Sequence, residues 1–358
     1  MSQLVLPIVE CAGDARSLGN QQGEQLRERI GAFIEQRLTA FGEYSRERGG
    51  PSVDQFLEAG ARCLRVYEQW DPEGAAENAG IAEAAGVSAE ALYGSTNMTD
   101  VRDVLLLPPP AADEGCTSLL VPKARSRSGE VLVGQTWDLN PTDLEFVVAV
   151  HRRPKNGPET WSVTVAGALS LTGMSALGVA VGTTNIKTRR SRVGVGYLSL
   201  LHRAIRAGSA AEAREWVTSA PRAAAHTYWL ADSAGATELE CDPATVVERR
   251  ADTQPLARTN HCLADELRAA EGEAPSPSSQ KRLSRAQAAL ASAPQDVASL
   301  QELMRDRSDG VDSINRYTED AQGTTTNACL IAIPATRQLW ACRGPADRGE
   351  WRELKFES

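Results

Sequence analysis

Hydrophobic positions in the first third of the chain recur at helical spacing. Leu26, Ile30, Phe33, Ile34, Leu38 and Phe41 fall three and four apart, which puts one apolar face on a helix from about residue 14 to 48. Gly49-Gly50-Pro51 ends it, and Ser52 is placed to cap a second helix through about residue 70. Asp71-Pro72 starts another. The run 80–88 reads as helix, glycine stop and a new cap at Ser88. Residues 105–112, LLLPPPAA, then break regular structure with a stiff, extended approach to Glu114-Gly115-Cys116. Beyond residue 116 the period shortens. Stretches at 117–121, 131–136, 146–151, 161–165 and 178–181 are short, β-branched and bounded by Gly, Pro or Asn turns such as Lys155-Asn156-Gly157. Helical patterns follow at 196–207 and 210–219, then strands at 227–231, 236–241 and 246–249. Residues 270–280 read as a surface loop, 284–291 and 298–305 as helices, and 327–333 and 338–343 as closing strands. Helices, many strands, helices and strands again make an α+β pattern whose sheets need covering on both sides.

Residues 163–182 carry no charge and are numerically long enough to span a bilayer. Their glycines and alternating valines instead predict two buried strands around a turn near 173–178. The first fifteen residues show no basic stretch followed by an apolar core, so no secretory signal is read there. Seven cysteines at wide spacing, with no CxxC, support neither a zinc ribbon nor a redox pair. Free thiols suit a reducing, cytoplasmic setting, in which the sequon Asn97-Met98-Thr99 would carry no glycan.

The 358 residues hold 38 Lys+Arg against 47 Asp+Glu, a net charge of −9. That excludes a chain that binds nucleic acid through a broadly basic surface. The charge is uneven. Residues 1–115 carry 9 Arg, no Lys and 19 acidic residues, a net of −10, and residues 116–358 carry 29 basic against 28 acidic, a net of +1.

A cysteine nucleophile needs a base. His261 abuts Cys262, but sequence neighbours do not face each other, so a Cys–His hydrolase using His261 is a thin reading. Gly115-Cys116-Thr117 offers another. A cysteine at a new N-terminus carries its own base, because the α-amino group titrates at about 7.7–8.0. This requires a break between Gly115 and Cys116, and glycine at 115 would grant the backbone freedom for the thiol to attack the preceding carbonyl. On the tripeptide alone, a strand start after a proline loop is the favoured reading.

The wider sequence resembles a known family. Glu114-Gly115-Cys116-Thr117-Ser118, followed by Gly134-Gln135-Thr136-Trp137-Asp138, is similar to the acyl-CoA:6-aminopenicillanic acid acyltransferases, C45-type peptidases related to the choloylglycine hydrolases. Residues 77–88 resemble the family's Gly-Ile-Ala-Glu pro-segment helix. Gly173 to Ala180 with Asn185 resemble its strand–turn–strand unit, Arg258-Thr259-Asn260-His261 its Thr-Asn-His turn, and Arg343-Gly344-Pro345 its closing Gly-Pro. The resemblance implies an N-terminal-nucleophile (Ntn) hydrolase fold: a four-layer αββα sandwich with an N-terminal helical pro-segment. It implies self-cleavage at Gly115-Cys116, giving a 1–115 small subunit and a 116–358 catalytic large subunit that stay associated as a heterodimer, with a higher oligomer open. Cys116 would be the nucleophile, Asp138 would bind the new α-amino group, and Asn260 would donate to the oxyanion, with Asn185 a second candidate there. The substrate would be a small-molecule acyl amide or acyl thioester, with no metal or organic cofactor, no nucleic acid and no membrane partner. The alternatives are a dedicated amide-bond-forming acyltransferase of a natural-product pathway, an unprocessed Cys–His hydrolase and a non-enzymatic relative of the same fold. One departure is Ile314-Asn315-Arg316-Tyr317, where many relatives place a Cys-His element. No substrate-binding arginine is assigned; Arg258 and Arg316 are open to that role or to salt bridges.

Overall fold

The computed structural model describes residues 3–105, 115–320 and 323–357. Strand β1 (Ile8–Gly13) precedes six helices: α1 (Ala15–Gln25), α2 (Arg27–Glu47), α3 (Val53–Trp70), α4 (Pro72–Ala85), α5 (Ala89–Thr96) and α6 (Met98–Leu105). Next come β2 (Gly115–Val121), β3 (Leu132–Leu139), β4 (Val147–Pro154), β5 (Thr160–Val165), β6 (Thr172–Ser175) and β7 (Ala180–Asn185). Helices α7 (Tyr197–Ala204) and α8 (Ala210–Ser219) lead to β8 (His226–Ala231), β9 (Ala236–Cys241), β10 (Val246–Arg250) and β11 (Leu256–Arg258). The short α9 (Asp265–Arg268), α10 (Pro277–Ser292), α11 (Val297–Met304), β12 (Thr325–Ile333), β13 (Gln338–Arg343) and β14 (Arg352–Glu353) complete the chain.

The caps are where the side-chain chemistry asks for them. Ser52 and Gln55 form a capping box, and Asp71 and Ser88 each accept a backbone N–H of the first turn of α4 and α5. Two expectations change. The helix expected over 14–48 is two, broken at Leu26, whose φ of −117° and ψ of 12° are not helical. The first third is also not all helix, because β1 pairs in parallel with β4. The proline stretch at 106–112 and Glu114 fall outside the described residues.

An eight-stranded sheet runs β1-β4-β5-β6-β7-β8-β9-β10, and a six-stranded sheet runs β11-β2-β3-β12-β13-β14. They pack face to face. Gln135 of β3 reaches across, donating to the Thr183 carbonyl at 2.7 Å and accepting the Thr183 N–H at 3.0 Å and the Trp229 indole N–H at 2.6 Å. Helices α10 and α11 cover the outer face of the six-stranded sheet through Leu283, Leu290, Leu300 and Met304. Helices α1, α4, α7 and α8 cover the eight-stranded sheet. The layers are therefore α, β, β, α, as expected. Residues 163–182 cross the end of β5, all of β6 and the start of β7. Among the described residues no helix is long and apolar enough to cross a membrane.

Helices α1 and α4 nearly touch. A Cβ on Gly19 would lie 2.0 Å from the Glu77 carbonyl oxygen, and one on Gly80 would lie 2.4 Å from the Arg16 carbonyl oxygen. Glycine at both places lets the two backbones meet.

Candidate active site

Strand β2 opens at Gly115, and its first residues pair with β3 as Gly115 to Asp138 and Cys116 to Trp137. This register puts the cysteine beside the aspartate without any sequence proximity between them. On the other side of β3, the ladder with β12 shifts register between Thr326 and Ala328, next to Asp138. Such a bulge re-aims side chains at the end of a strand.

Asp138 is fully buried. The Arg316 Nε lies 3.7 Å from its Oδ2. Burial raises its carboxyl above the ordinary carboxylate range, against the pull of Arg316 and Arg282. Gly115 packs straight onto this pair. A Cβ there would stand 2.5 Å from Asp138 Oδ2 and 3.0 Å from Arg316 Cζ. Close approach is thus a reason for glycine here, beside the backbone freedom expected from the sequence.

Asn260 follows β11, and its side-chain amide is engaged on both ends. Oδ1 accepts the Cys116 backbone N–H at 2.9 Å and an Arg282 N–H at 3.0 Å. Nδ2 donates to the Asn185 carbonyl at 3.0 Å. The Ser279 hydroxyl accepts the Asn260 backbone N–H at 2.9 Å. Arg282 also donates to the Cys116 carbonyl and to Thr117 Oγ1. The amide nitrogen of the Gly115–Cys116 bond and the carbonyl that follows it are both held.

Cys116, Asp138, Asn185 and Asn260 line one pocket, together with Thr99, Trp137, Leu139, Leu171, Thr183, Tyr197 and His226. Its interior space is ≈ 30 Å³. The four residues named from the sequence are therefore together. His261 does not line this pocket. Its Nδ1 is 2.7 Å from the Ser279 hydroxyl, and burial, with Arg258, Arg282 and Arg268 nearby, pushes it down to about 4. The neighbouring Cys262 thiol is pushed up by burial and by Glu271. Arg258 is not a substrate arginine here, since its fully buried guanidinium is bonded to Glu238 and Glu240.

Sequence reasoning missed Arg282, Ser278 and Ser279. Residues 270–280 were expected to be a surface loop, but α10 begins at Pro277 and both serines are buried. Ser278 receives an Arg316 N–H. The missed signal is periodic: buried positions 278, 279, 282, 283, 286 and 290 form one helix face, and Arg282 is the charge on it. All seven cysteines are buried free thiols. Among the described residues no group of three or more His, Cys, Asp or Glu could hold a metal ion.

A family model described as acyl-coenzyme A:6-aminopenicillanic acid acyl-transferase matches residues 125–347. That is more than half of the chain; it includes Asp138, Asn185, Asn260, Arg282 and Arg316 and starts after Cys116. No curated protein matches. Among solved structures, penicillin V acylase from Agrobacterium tumefaciens is similar at 12% identity and a TM-score of 0.45, over 67% of this chain and 86% of that one. A mutant of conjugated bile acid hydrolase from Clostridium perfringens is similar at 9% identity and a TM-score of 0.39, over 68% and 97%. Another variant of that hydrolase gives 11% and 0.40 over the same shares.

Proposed function

From the premise that this chain belongs to the acyl-coenzyme A:6-aminopenicillanic acid acyl-transferase family, of the Ntn hydrolases, we propose that it is a self-processing N-terminal-cysteine enzyme that cleaves or forms an acyl amide through a thioester on Cys116. One observation carries the reading. The Cys116 N–H is held by Asn260 at the start of a strand, in one pocket with the buried Asp138.

The processing step needs only groups already in place. The Cys116 thiol attacks the Gly115 carbonyl, an S–C bond forms, and the C–N bond breaks as the nitrogen takes a proton. Water then hydrolyses the thioester, leaving a Gly115 carboxylate and a free Cys116 α-amine. That amine is next to Asp138, whose carboxylate takes the hydrogen bonds an ammonium group offers. In turnover the amine accepts the thiol proton and the thiolate attacks the substrate carbonyl. Asn260 Nδ2 donates to the oxyanion, a contribution of about 2.7–4 kcal/mol for a donor of this kind. Asn185 holds that amide through its backbone carbonyl. Arg282 and Arg316 set a positive field around the developing anion. Collapse expels the amine, which leaves with the proton from the α-ammonium. Water or an acceptor amine then resolves the thioester. The family description, an acyl-transferase, favours transfer to an amine as the second reading of that last step.

N-terminal sequencing and intact-mass analysis test the proposal. Two polypeptides are expected, the larger starting at Cys116, and Cys116→Ala should stay uncut and inactive. An active single chain, or wild-type turnover by Cys116→Ala, overturns it.

A further inference from the structure

His226 shares the pocket with Cys116 and has no part in the chemistry above. It opens β8 and pairs with Asn185, the residue whose carbonyl holds Asn260. Its ring is held by two neighbours. Nε2 lies 2.5 Å from Asp100 Oδ1. The Tyr197 ring stacks on it at 4.5 Å between centroids, with 17° between planes. Asp100 itself cannot turn away, because its Oδ2 accepts the Tyr197 backbone N–H at 2.8 Å.

A carboxylate on Nε2 decides where the proton of a neutral imidazole sits. Nε2 carries it and donates to Asp100, which leaves Nδ1 as a bare acceptor. That Nδ1 is buried and has no hydrogen-bond partner among the described residues. Buried acceptors are normally satisfied, so an unmet one on a residue that lines a nucleophile's pocket marks a place for a ligand's donor. The same pocket offers a ligand apolar side chains, Leu139, Leu171, Trp137 and the Tyr197 ring, beside the polar Thr99 and Thr183.

We propose that His226 is a specificity-determining residue, its Nδ1 accepting a hydrogen bond from an N–H or O–H group of the substrate. Asp100 is the positioning residue that fixes the ring in its acceptor form. Asp100 belongs to α6, ahead of the Gly115–Cys116 bond. The segment before the cut thus completes the pocket of the segment after it. The inference rests on the reading of Cys116 as the acyl-accepting nucleophile.

The test uses the processed two-fragment enzyme and two matched pairs of 4-nitroanilides and thioesters. One pair differs only in a hydroxyl on the acyl group (4-hydroxyphenylacetyl against phenylacetyl). The other differs only in an N–H or O–H donor on the leaving group. Mass spectrometry of acylated Cys116 comes first: if no member acylates the wild type, the reading of the site as an acyl-transfer centre fails, and this inference with it. If acylation occurs, the wild type should favour the donor-bearing member of one pair by about tenfold in kcat/KM, expressed mainly in KM. His226→Phe keeps an aromatic ring on Tyr197 and should bring that ratio near one. Asp100→Asn, which releases the tautomer, should do the same. His226→Gln, which retains an acceptor, should restore part of the preference. Acylation without any donor preference, or a preference that survives both His226→Phe and Asp100→Asn, overturns the proposal. Should His226→Phe fail to fold, the ratio in Asp100→Asn decides.

Discussion

Gly115 occupies a place where one methyl group would collide with the carboxylate on which the site is built. The Cβ of an alanine there would stand 2.5 Å from Asp138 Oδ2 and 3.0 Å from Arg316 Cζ. Neither neighbour can yield easily, since both are fully buried and Arg316 is also bonded to Thr324 and Ser278. Overpacking of this kind typically costs about 1–3 kcal/mol. Here it would fall on the bond to be broken. Gly115→Ala is therefore expected to cleave at least about tenfold more slowly than the wild type, measured as the ratio of intact to cut chain over time after expression. Cleavage at the wild-type rate would remove close packing as the reason for this glycine. The sequence singled out residue 115 but could not reveal this steric reason, because close approach depends on a carboxylate 23 positions away that only the β2–β3 register brings near.

At the scale of elements, α4 shows what the sequence can and cannot reveal. Its start at Asp71-Pro72 and its stop at Gly86, which has a φ of 74°, are legible because caps and left-handed stops are local chemistry. Its partners are not. Glu77 points into the eight-stranded sheet, where Oε1 accepts the Arg152 Nε–H at 2.6 Å, and the His202 ring lies 3.2 Å from Oε2. Burial would raise the Glu77 carboxyl, but Arg152 and His202 hold it well below the ordinary range. Burial keeps His202 below its usual value despite Glu77. Both shifts act in the same direction. Unfolded chains bind a proton at His202 near pH 6.5 and at Glu77 near pH 4.5, and the folded protein resists both. Stability should be greatest above about pH 6.5, decline as pH falls through the histidine range, and decline further below about pH 4.5. Thermal melts from pH 7.5 to 3.5 check this. Glu77→Gln should cost about 3–5 kcal/mol at neutral pH, by leaving the Arg152 charge buried without its partner, and should flatten the acid limb. A melting temperature that rises on acidification would refute the account. The same contrast explains α10. Its C-terminal half was read correctly, but a Pro/Ser-rich start looks like a loop until Ser278 and Ser279 are seen facing Arg316 and Asn260.

The whole molecule bears on what the first 115 residues would become after the proposed cut. Their charge, −10 against +1 for the remainder, gives little net attraction between fragments. The contacts are of another kind. β1 is a full strand of the eight-stranded sheet, paired with β4 over six positions from Ile8–Ala149 to Gly13–Pro154. Tyr93 Oη accepts the Gly196 N–H at 2.9 Å and Asn97 Oδ1 accepts the Leu198 N–H at 3.2 Å, so α5 and its C-cap Asn97 satisfy the N-terminus of α7. Asn97 is buried in this role, which leaves its sequon no surface to present. Phe33 packs edge-on to Phe146 at 5.3 Å, and Leu18, Ile30 and Ile81 belong to the same core as the sheet valines. A fragment that contributes a strand, helix caps and core cannot leave without exposing that core. Size-exclusion chromatography of the processed protein should give one peak containing both polypeptides. It should remain one peak in 1 M NaCl, where the Debye length falls to about 3 Å and surface charge no longer acts at range. Separation should need denaturant. Fragments that part in salt would mean that charge holds them and that the buried contacts do not.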